Sequence, residues 1–183
     1  MNYISTRNKN NIYSFEEALY EGLSSDGGLL LPENIPHLTY SDLEKMNGSH
    51  YIDIAGKIIG LYWEELEYQI LKKLLHKSYA TFTDKRIVPV EKLEHFYIAE
   101  LFHGPTLAFK DLAMQFLGTT FEYMNIKTGK YINILGATSG DTGSAAIYSV
   151  KGKSRIKVFI LYPYNSVSEI QELQMVTHND QNI

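Results

Sequence analysis

From residue 85 onward short apolar runs alternate with helical stretches, and this alternation restricts the fold more tightly than any other feature of the chain. Residues 97–102, 131–135 and 156–162 read as strands, and the last is nearly continuous in apolar residues, as expected of a strand buried on both faces. Helical runs follow each of them. Leu112, Ala113, Phe116, Leu117, Phe121 and Met124 mark one helix, 144–150 form a second, and Ser166 with Glu169 caps a third through Ile170, Leu173 and Val176. Three strand–helix units in succession imply a parallel sheet with right-handed crossovers.

Residues 11–80 follow a different period and read as helical. Ser14 with Glu17 forms a capping-box pattern ahead of Phe15, Ala18 and Leu19, and Gly22 suits a stop, so a short helix is expected over 14–22. The Asp26-Gly27-Gly28 run signals a turn, and Pro32 and Pro36 keep the next stretch irregular. Tyr51, Ile52, Ala55, Ile58, Ile59 and Tyr62 recur at helical spacing, as do Trp63, Leu66, Ile70, Leu71, Leu74 and Leu75. The expected organisation is α/β: a small helical N-terminal domain, 1–80, followed by a partial parallel α/β domain, 81–183.

With 17 basic against 21 acidic residues the net charge is −4, which provides no basic footprint for nucleic acid and no polycationic patch for a membrane surface. Zero cysteines exclude a disulfide framework and any thiolate metal site, and fit a reducing compartment; the cytoplasm is the expected location. No run approaches the roughly 18 apolar residues of a spanning helix. Six histidines are scattered without a His-Glu-x-x-His arrangement, so no metal site is expected.

Two segments carry chemistry. Phe102-His103-Gly104-Pro105-Thr106-Leu107-Ala108-Phe109-Lys110-Asp111 places one lysine where a strand gives way to a helix. A sheltered amine there can shed its proton and attack a carbonyl, and an aldehyde cofactor such as pyridoxal phosphate is the obvious target. Gly136-Ala137-Thr138-Ser139-Gly140-Asp141-Thr142-Gly143-Ser144 is glycine-rich at a second strand–helix junction, where backbone amides suit an anion such as a substrate carboxylate. In open parallel sheets such loops gather at the carboxyl ends of the strands, so both can face one crevice. Gly152-Lys153-Ser154 echoes the end of a P-loop, but isoleucine stands at 147 where the first glycine is required. His103 reads as a structural hydrogen-bonding residue.

The lysine segment resembles the cofactor-lysine segment of threonine synthases, and 136–144 resembles that family's Ser-Gly-Asp-Thr-Gly loop. Ser5-Thr6-Arg7, Asp26 to Pro32, Ile160 to Pro163 and Ser168 to Glu172 extend the resemblance over essentially the whole chain. The family's members are more than twice this long, so the chain reads as their front part. The resemblance implies the tryptophan-synthase-β-like, fold-type-II class of pyridoxal 5'-phosphate enzymes. It implies a lyase converting O-phospho-L-homoserine and water to L-threonine and phosphate, with Lys110 as the Schiff-base lysine and proton carrier. Phe109 would flank the cofactor, Asp141 would lie beside its 3-oxygen, and Ser139, Gly140 and Thr142 would hold the substrate carboxylate. Arg7 is read as an ion-pair residue or a phosphate contact. A complementing C-terminal polypeptide is the expected partner, because the family's cofactor-phosphate loop has no match here. The alternatives are a non-catalytic folding or interaction module and a related lyase such as threonine dehydratase.

Overall fold

The computed structural model describes residues 1–183, which divide into two units, Met1–Lys73 and Leu74–Ile183. In the first, β1 (Tyr3–Ser5) lies between β2 (Ile12–Tyr13) and β3 (Leu30–Pro32) in a small antiparallel sheet. This sheet corrects the wholly helical reading. Strands of two or three residues are too short to show an alternation, and β3 finds its partner far back in the sequence. The turn between them is fixed by Asp26, whose carboxylate accepts from the Ser5 hydroxyl at 2.8 Å and from the Gly28 N–H at 2.8 Å.

The helix α1 (Phe15–Glu21) starts on the expected capping box, with Ser14 and Glu17 exchanging hydrogen bonds, and stops at Gly22 with φ 65°. A second box, Thr39 with Asp42, opens α2 (Tyr40–Met46), which the periodicity did not announce. Next comes α3 (Tyr51–Gly60), while α4 (Tyr68–Tyr79) begins at Tyr68 rather than at Trp63. Trp63 lies in the connection instead, fully buried and stacked on Phe15 with centroids 4.5 Å apart. Tyr3 meets Phe15 edge-on and donates its hydroxyl to the Tyr62 carbonyl; burial pushes its pKa up to about 12.

In the second unit β4 (Val90–Lys92) and β5 (Tyr97–Ala99) form an antiparallel hairpin, so the run beginning at Tyr97 does not join the parallel sheet. Its partner lies only a short turn away, closed by the Leu93 N–H on the Phe96 carbonyl, and such a pairing costs little loop entropy. The parallel sheet consists of β6 (Ile132–Ala137) and β7 (Ile156–Leu161), in register from Ile132 opposite Ile156 to Ala137 opposite Leu161. The helices α5 (Asp111–Thr128), α6 (Asp141–Val150) and α7 (Glu169–Val176) complete it. Ile147, Val150, Ile156, Val158 and Met175 form the core, with Phe121, Ile132, Ile134 and Ile160 packed against it.

Both strands alternate. Leu135, Phe159 and Leu161 point away from the core and are 71, 54 and 60% exposed, so β7 is covered on one face only, contrary to the expectation from its apolar run. Two close approaches set the helices. A Cβ on Gly118 of α5 would lie 2.1 Å from the Ser149 carbonyl oxygen of α6. A Cβ on Gly143 of α6 would lie 2.7 Å from Met175 Sδ of α7. The cap of α7 is Ser168, which accepts from the Gln171 N–H; Ser166, the expected cap, instead donates to the Tyr164 carbonyl. No helix is long and apolar enough to cross a membrane.

Candidate active site

Lys110 occupies the N-cap of α5, half-buried, with its ammonium 5.0 Å from the centroid of the exposed Phe109 ring. The loop before it is fixed from behind by Asp111, which is completely buried. One Asp111 carboxylate oxygen accepts from the Thr106 N–H at 2.8 Å and from the Thr106 hydroxyl at 2.9 Å. Burial raises the pKa of this carboxyl, and the Thr106 hydrogen bonds oppose the rise. Gly104 is required at its position, because a Cβ there would lie 2.4 Å from the Asp111 Cβ. Leu107, in the same loop, takes φ 63°, a left-handed conformation that costs a branched side chain energy. His103 is clamped structurally, with Nε2 2.7 Å from Glu100 Oε2 and its carbonyl accepting from the Thr83 N–H.

The second segment leaves β6 and enters α6 at Asp141. An open crevice of about 630 Å³ lies at the carboxyl ends of β6 and β7, lined by Thr138, Ser139, Thr142, Tyr162 and Pro163 among others. That is where parallel-sheet geometry puts a ligand. Gly140 is buried behind this wall with φ 158°, and a Cβ on it would lie 2.6 Å from Gln171 Nε2. Asp141 accepts from that same amide nitrogen at 2.8 Å.

Ser139 and Thr142 thus share the crevice, whereas Lys110 and Phe109 stand at the start of α5 and do not line it. The two segments are joined through α7. Gln171 reaches Asp141, and Gln174 donates to the Thr106 carbonyl at 3.4 Å, in the loop that precedes the lysine. Gln171 falls in the Ser168–Glu172 run without an assigned role and Gln174 was not singled out, although Gln171-x-x-Gln174-Met175 places the three within one helical stripe. In the first unit Arg7 donates to the Asp26 backbone carbonyl at 3.0 Å rather than pairing directly with its carboxylate.

Residues 2–79 match the family described as threonine synthase N terminus. The threonine synthase of Schizosaccharomyces pombe is 44% identical over 100% of this chain and 38% of its own length; that of Saccharomyces cerevisiae is 44% identical over 99% and 38%. A crystal structure of PLP-bound threonine synthase from Brucella melitensis superposes with a TM-score of 0.94 at 36% identity, covering all of this chain and 40% of that one. The chain matches the N-terminal part of threonine synthases. It spans 38% of the length of these two fungal threonine synthases, and the match runs through both chemical segments, since it covers the chain from end to end.

Proposed function

We propose that this chain supplies the lysine-bearing part of a threonine synthase, a fold-type-II pyridoxal 5'-phosphate enzyme that converts O-phospho-L-homoserine and water to L-threonine and phosphate in the cytoplasm. The observation that carries this reading is the placement of both chemical segments at the N-termini of packed helices, α5 and α6, within a chain similar to threonine synthases throughout. The donor set fits the cofactor: a half-buried primary amine beside an aromatic ring, and a crevice edged by hydroxyls and backbone amides. When bound, pyridoxal phosphate supplies an electron sink for charge developing at the substrate Cα.

The protein's own groups do the rest. The Lys110 amine would hold the cofactor through its aldehyde and would move protons at the substrate Cα and Cβ. Phe109 would flank the ring, Asp141 would stand beside the 3-oxygen, and Ser139, Gly140 and Thr142 would hold the substrate carboxylate at the α6 N-terminus, where the helix dipole favours an anion. Adding pyridoxal phosphate to the chain is expected to raise absorbance at about 410–420 nm, with borohydride fixing the adduct on Lys110. Adduct spread evenly over Lys110 and the exposed Lys85 overturns the assignment. Phosphate and threonine release from phosphohomoserine, with the remaining family length added in trans, tests the reaction.

A second reading, an interaction module without catalysis of its own, is favoured by the exposed outer face of β6–β7. Parallel sheets are normally covered on both faces. The two readings converge if a complementing C-terminal polypeptide covers that face, and they separate if the chain fixes no cofactor at Lys110.

A further inference from the structure

We infer that Gln171 and Gln174 of α7 are positioning residues that set the lysine loop and the Ser139–Gly143 loop against each other. The inference deepens the threonine synthase reading and rests on it for its catalytic meaning. Met175 anchors the helix: it is 4% exposed, belongs to the core, and presses its sulfur where a Gly143 side chain would be. Gln171 lies one turn before it and Gln174 beside it in the chain, and the three fall within one stripe about 100° wide.

The orientation of Gln171 is fully specified. Its amide oxygen faces the Ser168 hydroxyl at 3.2 Å, which leaves the amide nitrogen to donate to Asp141 at 2.8 Å. The same nitrogen fills the space over Gly140 that a side chain would otherwise take, so the backbone of this loop is held by contact as well as by charge. Gln174 acts on the other segment. Its nitrogen donates to the Thr106 carbonyl, and Thr106 in turn gives its N–H and hydroxyl to Asp111, the neighbour of Lys110. One short helix therefore grips both loops, and neither glutamine touches the lysine.

Amide hydrogen exchange on the chain tests the arrangement without any cofactor. Gln171→Glu sets a second carboxylate against Asp141, and exchange at Gly140 and Gly143 is expected to accelerate about tenfold, with Thr106 unchanged. Adding Asp141→Asn restores a donor for the new carboxylate and should return exchange to the original rate. Gln174→Leu should accelerate Thr106 and Leu107 by a few-fold and leave Gly140 alone. Exchange that stays the same in both single variants, or that rises uniformly through the unit, overturns the inference. Pyridoxal phosphate fixation is the second readout: both single variants should lower the adduct on Lys110 relative to Lys85. If the unmodified chain fixes none selectively on Lys110, the functional reading fails while exchange still decides the role of α7.

Discussion

Asp111 sits where a charge is hardest to keep. It is completely buried, and burial lifts its pKa above the ordinary carboxylate value, so over the interval between the two values the folded chain holds a proton that the unfolded chain has released. Stability contributed at this site therefore falls as pH rises through that interval. Asp26, Asp84 and Glu122 have lowered values and act in the opposite sense. The measurable quantity is thus the difference between unfolding curves of the parent and Asp111→Asn across acid pH, and the parent should lose stability relative to the variant as pH rises. Glycines offer a second comparison. Gly118→Ala would drive a methyl into a backbone carbonyl 2.1 Å away and should cost about 1–3 kcal/mol, whereas Gly136→Ala meets only the mobile end of Ile160 at 2.9 Å and should cost less. Urea midpoints rank the two.

Among the elements, what could be read from sequence was decided by whether the signal is local. The Ser14 capping box and Gly22 bracket α1, and periodic apolar residues locate α3 and α5 within a few residues. Lys110 and Ser139–Gly143 fall at helix starts, as their motifs require. Pairing was not legible: nothing in the run beginning at Tyr97 declares that its partner is Val90–Lys92 and not β6. The β1–β3 sheet was invisible for the same reason, and the bridging role of α7 depends on contacts reaching back as far as Thr106. The cap of α7 separates two candidates, Ser166 and Ser168, which flank Val167. Ser168→Ala should cost about 1 kcal/mol, while Ser166→Ala should stay within about 0.5 kcal/mol, as thermal unfolding would show.

For the molecule as a whole, the decisive feature is the half-covered parallel pair. In Leu74–Ile183 one face of β6–β7 packs on the core and the other presents Leu135, Phe159 and Leu161; no strand pairs with the outer edge of β6, while on the outer edge of β7 the Val158 N–H and the Ile156 carbonyl are taken up by Asn182. Replacing Phe159 with lysine should change unfolding midpoints little, since the side chain is half exposed, but should reduce light scattering on concentration. If scattering persists unchanged, self-association runs through another surface.

An open strand edge also sets a clock. Capture by a neighbouring copy is bimolecular and closure of this chain's own fold is not, so recovery of single molecules after refolding is governed by how crowded they are. Dilution, more than cooling, is the lever that keeps such a sheet in solution.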